Sequence, residues 1–309
     1  MKYLSQTTNI NESSKKEKLD SPFRRFISDY RENKIAVVAL TILMFVVLMA
    51  VFAPIITPQN PYDLKQLDII DSKLPPGETS MMAGYVYILG TDDQGRDLYS
   101  AIVYGLRISL GVAVMSGFIA MAIGITIGLI SAYFGGWVDN LIMRIVDIQL
   151  GFPAILIALI LLAILGKGID KVILALIIVQ WAYYARTIRA SALVEKSKEY
   201  VEAAQCLALG NRRIIFNHIL PNCLPSMLVV GTVQTAQAIS LEATLSFLGV
   251  GVPITEPSLG LLISNGFEYM MSGMYWISFF PGIGLLITVA CINLVGDQLR
   301  DILNPRLQK

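Results

Sequence analysis

The run IAVVALTILMFVVLMAVFAPII occupies residues 35–56 and contains no charged side chain. An α-helix needs about 20 mainly apolar residues to cross the hydrocarbon core of a bilayer, so this run predicts a transmembrane helix. Five further apolar runs follow, and together they predict an all-α membrane protein with six transmembrane helices. They cover residues 109–134, 141–165, 172–185, 224–250 and 276–295.

The composition of the whole chain agrees with this prediction. Its 309 residues are 55% hydrophobic and 15% charged, whereas about 25% of residues are charged in soluble domains. These values argue against a soluble enzyme, and also against a disordered chain, which would be rich in charge and poor in apolar residues. A net charge of +1 argues against nucleic acid as a partner, because nucleic-acid-binding domains carry a large basic excess. The lipid bilayer is the predicted partner.

The distribution of Lys and Arg predicts the orientation in the membrane. Cytoplasmic loops of membrane proteins are enriched in these two residues. With six spans, 18 of the 24 Lys and Arg residues fall on the side of the chain ends, and six fall on the other side. The sequence therefore predicts cytoplasmic N and C termini and an external, periplasmic segment at residues 58–97.

The remaining segments complete the predicted domain organisation. Residues 1–20 have little apolar content and are predicted to be a disordered cytoplasmic tail. Residues 21–34 fit an amphipathic helix on the inner membrane surface, because Phe23, Phe26, Ile27 and Tyr30 share one helical face. A simple helical lead-in to the first span fits them equally. The first transmembrane helix is placed at 35–57, a five-helix core at 98–303 and a cytoplasmic tail at 304–309.

The sequence contains few groups suited to catalysis or metal binding. Its one histidine, His218, cannot form a histidine-based metal cluster. Gly166-Lys167 lacks the earlier Gly and the following Ser or Thr of a phosphate-binding loop. We therefore expect a protein that is not an enzyme, has no catalytic residues, binds no metal or cofactor and has no ATP site of its own.

The fifth span carries a row of polar side chains. Polar groups at this depth face the interior of a helix bundle or a water-filled path. Two interpretations stay open: the row lines a transport path, or it forms hydrogen bonds between helices. The candidate path residues are Gln234, Gln237, Ser240 and Glu242.

Two other patterns predict contacts within the bundle. Small residues recur at spacing four in the second span, which lets helix backbones approach closely in lipid. Packing within the chain is favoured over a contact with another subunit. Arg144 and Asp147, three residues apart on the third span, predict a local ion pair. The small-residue stripe comprises Ser116, Ala120, Gly124, Gly128 and Ala132.

The polar segment between the fourth and fifth spans predicts a short cytoplasmic helix-turn-helix at about residues 195–216. Residues 199–204 favour a helix, Gly210-Asn211 a break, and residues 212–216 a second helix. Such a segment is suited to contact a cytosolic partner.

This segment also carries a family resemblance. Glu202-Ala203-Ala204, followed by Ile219-Leu220-Pro221, resembles the signature of permeases of binding-protein-dependent ABC importers. The longer run 202–222 resembles the dipeptide/oligopeptide/nickel branch without a gap, and the later blocks 242–249 and 293–301 agree. The resemblance covers roughly residues 21–306. A further block before the second span is similar to the C-type subunit of this branch, at Gly90, Thr91, Asp92, Gly95, Arg96 and Asp97.

The resemblance implies a type I ABC-importer permease fold in a bacterial cytoplasmic (inner) membrane. Its function would be ATP-driven import of dipeptides, oligopeptides or related small solutes. The implied partners are a B-type permease, two ATP-binding subunits that hold ATP and Mg, and an external solute-binding protein. A coupling helix would dock into a groove on the ATP-binding subunit, with the coupling residues Glu202, Ala203, Ala204, Ala208 and Gly210.

One position departs from the family pattern. The family usually has Gly six residues after the motif Glu, where this chain has Ala208. Gly210 follows two residues later, so the sequence predicts that the turn shifts toward Gly210.

Two rival classes explain less of the sequence. A transporter driven by an ion gradient would need ionisable residues in mid-membrane, and apart from Glu242 the spans lack them. A purely structural membrane protein would need neither the polar row of the fifth span nor the cytoplasmic helix-turn-helix.

Overall fold

A computed structural model of the protein describes residues 22–67, 69–81 and 84–303. The predicted tails at 1–20 and 304–309 lie outside these ranges, as does Ser21. The helices are α1 Pro22–Glu32, α2 Lys34–Val51, α3 Ala53–Ile56, α4 Leu98–Phe134, α5 Gly136–Leu150, α6 Ala154–Leu165, α7 Ile169–Lys196, α8 Glu199–Cys206, α9 Asn211–Ile214, α10 Leu220–Phe247, α11 Leu259–Phe267 and α12 Trp276–Leu303. A π-helical stretch, Ile215–Ile219, joins α9 to α10.

The long helices confirm the predicted all-α membrane fold. In the part of the chain that the structure describes, five helical segments are long and apolar enough to cross a membrane: α2, α4, α7, α12 and the run from α9 through α10. The bent pair α5 and α6 gives a sixth span if it is counted as one.

The bundle has two distinct ends. At one end Asn33 Nδ2 donates to Gln298 Oε1 at 2.7 Å, and Lys196 Nζ donates to the Tyr133 carbonyl at 2.6 Å. We call this the terminal end; it carries α8, α9 and the C-terminal ends of α4, α7 and α12. The opposite end, the loop end, carries residues 57–97 and 248–275.

The third predicted span, residues 141–165, is not one helix. α5 stops at Leu150, α6 begins at Ala154, and the two are bent by 87°. Pro153 has no amide hydrogen and disfavours the helical conformation at the residue before it, so α5 cannot continue through it. The Gly151 amide closes α5 by donating to the Asp147 carbonyl at 3.0 Å. The third predicted span is therefore a bent pair of helices rather than one straight helix.

The second span is longer than its apolar run predicts. α4 has 37 residues and begins at Leu98 rather than at residue 109. Asp97 caps it, because its Oδ2 accepts the Ser100 amide at 2.9 Å. At about 1.5 Å per residue α4 is roughly 55 Å long, against a hydrocarbon core of about 30 Å. α4 therefore projects beyond the membrane core.

Ion pairs connect α5 to α7 rather than residues within α5. Asp147 pairs with Arg186, and Asp139 pairs with Arg189. Both cations lie toward the terminal end of α7, and the neighbouring helix α5 supplies the carboxylates. The predicted local pair between Arg144 and Asp147 is therefore wrong.

The small-residue stripe of α4 packs inside the chain, against α7. All five stripe residues are buried. A Cβ built on Gly128 would lie 2.3 Å from Ile188 Cγ2 and 2.4 Å from the Ala185 carbonyl oxygen. The two backbones are thus so close that a methyl group has no room, in agreement with the favoured interpretation of the stripe.

Gly128→Ala is expected to lower the melting temperature of the detergent-solubilised protein. The added methyl group overlaps the α7 backbone and forces the helices apart, and overpacking of this kind costs about 1–3 kcal/mol. Gly111→Ala on the same helix is the matched control, because a Cβ there has nothing within 4 Å. Equal melting temperatures for the two variants would contradict the close packing of α4 on α7.

Candidate functional site

Helix α8 at the terminal end has one buried face and one exposed face. Val201 and Ala204 are buried in an apolar cluster that also contains Leu129 of α4, Ile188 of α7 and Met227 of α10. Buried positions three residues apart lie on one side of a helix. The motif Glu202-Ala203-Ala204 is divided accordingly. Ala204 fixes α8 to the bundle, while Glu202 and Ala203 face outward and are exposed.

The turn after α8 lies at Ala208. The Ala208 amide donates to the Gln205 carbonyl at 2.9 Å, and the Leu209 amide donates to the Ala204 carbonyl at 3.2 Å. These two bonds form a Schellman motif, which requires a left-handed residue just after the helix. Ala208 has that conformation, with φ of 54°, whereas Gly210 has φ of −61°. The prediction that the turn shifts to Gly210 is wrong, because these hydrogen bonds place it at Ala208.

Ala208→Gly is expected to stabilise the protein by about 1 kcal/mol. A Cβ in the left-handed region costs about 1–2 kcal/mol, which Gly avoids, although Gly also gains more freedom in the unfolded chain. Ala208→Val should have the opposite effect, since its branched side chain is more hindered there. Thermal unfolding of the three proteins in one detergent measures the order. A wild type more stable than Ala208→Gly would contradict the strained turn.

Tyr200 ties α8 to its neighbours, α7 and α10. Its hydroxyl donates to Glu195 Oε2 at 2.6 Å and accepts from Asn222 Nδ2 at 3.1 Å. Burial, together with the bond to Glu195, raises the pKa of Tyr200 to about 12, so the hydroxyl keeps its proton at physiological pH. In the sequence, the one sign of this group is an aromatic residue within a charged segment.

A cavity of about 570 Å³ lies between α6, α7, α10 and α12. Gln234, Gln237 and Ser240 line it, so the structure brings three of the four candidate path residues together. Gln180 and Asn293 also line the cavity. The sequence does not single them out, because each is one polar residue within an apolar run. The full lining is Ala154, Ile155, Val179, Gln180, Tyr183, Val233, Gln234, Ala236, Gln237, Ser240, Leu241, Thr244, Val289 and Asn293.

Glu242, the fourth candidate, lies outside this cavity. It is completely buried, and its two carboxylate oxygens accept from Ser109 Oγ and Ser246 Oγ, each at 2.8 Å. Ser109 belongs to α4, so Glu242 connects α10 to α4. For this residue the structure favours hydrogen bonding between helices, the second interpretation of the polar row.

The motif before α4 forms a buried polar cluster at the loop end. Arg96 Nε donates to Asp92 Oδ2 at 2.6 Å, and the two side chains are only 1% and 0% exposed. Asp92 Oδ1 also accepts the amides of Gln94 and Arg96, each at 2.9 Å. Trp276 Nε1 donates to the Thr91 carbonyl at 3.4 Å, which joins the cluster to the start of α12.

Two positions of this motif favour glycine because of their backbone conformation. Gly90 and Gly95 have φ of 81° and 74°, in the region that other residues avoid. A Cβ on Gly90 would in addition lie 2.5 Å from the Leu74 carbonyl oxygen.

Burial raises the pKa of Asp97 at the start of α4, although the hydrogen bonds from Ser100 oppose this effect.

Asp71 organises the segment that packs beside the motif. Its carboxylate accepts from Ser80 Oγ at 2.6 Å, from the Met81 amide at 3.0 Å and from Tyr87 Oη at 3.0 Å. Burial by itself would raise the pKa of Asp71, but these three hydrogen bonds outweigh burial and lower it. Asp71 is therefore ionised at neutral pH and holds the segment together.

Comparison with known proteins agrees with this geometry. The family described as "Binding-protein-dependent transport system inner membrane component" matches residues 124–309, and the "N-terminal TM domain of oligopeptide transport permease C" matches residues 21–76. The chain is 36% identical over 288 residues to the dipeptide transport system permease protein DppC of Alkalihalophilus pseudofirmus, covering 93% of this chain and 91% of that protein.

Other relatives give the same result. The oligopeptide transport system permease protein OppC of Bacillus subtilis is 38% identical over 280 residues, covering 91% of this chain and 88% of that protein. A solved inward-facing structure of the MetNI methionine ABC transporter matches with a TM-score of 0.54 and 21% identity, over 65% of this chain and 96% of that chain. At this identity the likeness concerns the fold alone.

The fold and the family matches define a multi-pass inner-membrane permease of the ABC-importer class. Within that class, the chain belongs to the family of binding-protein-dependent permeases, in its dipeptide and oligopeptide branch.

Proposed function

We propose that this chain is one of two permease subunits in an ATP-driven importer of dipeptides, oligopeptides or related small solutes. A B-type permease would complete the path, two ATP-binding subunits would hold ATP and Mg, and an external binding protein would deliver the solute. The names of the relatives, which are dipeptide and oligopeptide permeases, support this solute class.

The observation that supports the proposal most strongly is the way α8 packs against the bundle. Its outer face, with Glu202 and Ala203, is exposed, while its inner face is packed into a cluster shared by α4, α7 and α10. A force on α8 therefore reaches three spanning helices at once. Rigid-body motion of packed helices is one of the known ways in which a local change is amplified across a protein. We infer that an ATPase subunit docks on the exposed face and moves the bundle through it.

The orientation follows from the charge distribution. In the predicted topology, 18 of the 24 Lys and Arg residues lie on the same side of the membrane as the segment that contains α8. We infer that this end faces the cytoplasm, where the ATPase subunits lie. The loop end would then face outward, toward the binding protein and the loops of the partner permease.

The cavity between α6, α7, α10 and α12 would form this subunit's share of the transport path. Its polar lining, including Gln234, Gln237 and Ser240, gives a solute hydrogen-bonding groups at a depth where lipid provides none.

Reconstitution tests the proposal. The chain, a B-type permease and two ATP-binding subunits are placed in liposomes, and accumulation of a radiolabelled dipeptide is measured with its binding protein on the outside. Uptake is expected to require ATP inside the vesicles and every subunit. Labelling of this chain alone by an azido-ATP analogue would contradict the assignment of ATP binding to its partners. Uptake driven by an ion gradient without ATP would overturn the proposed function.

A further inference from the structure

Gln180 on α7 is an unsatisfied polar residue beside the cavity. It is 2% exposed, and in the described part of the chain neither its Oε1 nor its Nε2 has a hydrogen-bond partner. Buried side-chain amides almost always have partners, so an exception calls for an explanation. Gln149 on α5 differs in this respect: it is half-buried, and its Nε2 donates to the Ile178 and Val179 carbonyls of α7.

The position of Gln180 allows a ligand to supply the missing partner. The residue forms part of the cavity wall, next to Tyr183 of the same helix and Gln234 of α10. A Cβ built on Gly117 of α4 would lie 3.9 Å from Gln180 Oε1, 3.7 Å from Tyr184 Oη and 3.9 Å from Thr235 Oγ1, so this oxygen lies on the α4 side of the residue. A rotation of the side chain away from α4 brings the amide toward a group bound in the cavity.

The other polar groups of the cavity define what it can hold. None of the described residues that line it is charged. Two lining hydroxyls are already used within α10: Ser240 Oγ donates to the Ala236 carbonyl at 3.0 Å and Thr244 Oγ1 donates to the Ser240 carbonyl at 2.7 Å. These groups offer a ligand hydrogen bonds but no ion-pair partner. The site therefore suits a neutral group that both donates and accepts hydrogen bonds.

We propose that the cavity is a transient binding subsite for the backbone of a peptide in transit, and that Gln180 turns its amide into the cavity to hold it. This inference rests on the proposed function. In an extended peptide the N–H and C=O of one residue point to the same side, and a glutamine amide offers one acceptor and a donor to match them. Main-chain bonds of this kind give affinity without reading side chains. A volume of about 570 Å³ is within the usual range for small-ligand sites.

The test compares two peptides in the reconstituted complex. One is tri-alanine, and the other has its first peptide bond replaced by an ester, which removes the N–H of the central residue and keeps both charged ends. Uptake of each is measured at saturating binding protein, so the binding protein contributes equally to every variant. Gln180→Leu is expected to reduce the preference for the amide peptide by about 3- to 10-fold, the size of one hydrogen bond.

Controls separate this role from a structural one. Gln149→Leu makes the same substitution outside the cavity and is expected to leave the preference unchanged. Gln180→Leu is also expected to raise the melting temperature of the complex, because it removes a buried polar group without a partner. An unchanged preference in Gln180→Leu, or a lower melting temperature, would overturn the subsite while leaving peptide import in place. Absence of ATP-dependent tri-alanine uptake by the wild-type complex would instead overturn the proposed function, and the subsite with it.

Discussion

Glu202→Lys is expected to leave the protein folded in the membrane but to reduce ATP-driven peptide uptake by more than about tenfold. Glu202 is exposed on the outer face of α8, so the substitution disturbs no internal packing. At a docked interface a reversed charge costs several kcal/mol, because it meets the wrong charge or none. Uptake and ATP hydrolysis are measured together in proteoliposomes, and we expect hydrolysis to lose its dependence on transport.

Ala203→Asp is expected to act in the same way, since it adds a charge to the same exposed face. The matched control is Asp301→Lys, a charge reversal at an exposed position of α12 at the same end of the bundle. The control should transport normally. Normal peptide uptake by Glu202→Lys would rule out α8 as the coupling helix, whatever the behaviour of the control.

Arg96→Met is expected to destabilise the protein by about 3–5 kcal/mol, the largest effect on stability that the structure predicts. The variant leaves the Asp92 carboxylate buried without its cation, which lies 2.6 Å away in the wild type. Thermal unfolding in detergent and the yield of folded protein in membranes measure the loss. Arg107→Met is the control, because Arg107 is exposed on α4 and its removal leaves no buried charge.

A double variant distinguishes two causes of the lost stability: an unpaired buried carboxylate and the loss of side-chain packing. Asp92→Asn combined with Arg96→Met removes both charges and keeps an oxygen that can accept the Gln94 and Arg96 amides. The double variant should therefore be more stable than Arg96→Met alone. If the single and double variants unfold at the same temperature, the loss comes from packing and not from an unpaired carboxylate.

The spans could be predicted from the sequence because hydropathy reports directly which residues tolerate lipid. The ends of the helices could not, since they depend on single groups such as Asp97, which starts α4 eleven residues before its apolar run. Pro153 is plain in the sequence, but it lies within the mainly apolar run 141–165, whose length and composition predict a single span.

A local sequence pattern does not reveal which ion-pair or hydrogen-bond partner a side chain finds on another helix. Asp147 has a suitable cation three residues away and yet pairs with Arg186, 39 positions further along the chain. Gln180 stands within the apolar run 172–185, where nothing local indicates that its amide lacks a partner. The turn at Ala208 likewise follows from hydrogen bonds to Ala204 and Gln205 and not from the preference of glycine.

The contact between α4 and α7 has a consequence for how the protein can change shape. At Gly124 and Gly128, α4 has no side chain that would hold the α7 backbone away. Interfaces of this kind transmit displacement and do not absorb it, because packed interiors are nearly incompressible. The two helices therefore move as one rigid body across the membrane, and α8 is packed against the terminal end of this pair. Deformation during a transport cycle has to occur where free volume remains, along α6, α10 and α12 around the cavity.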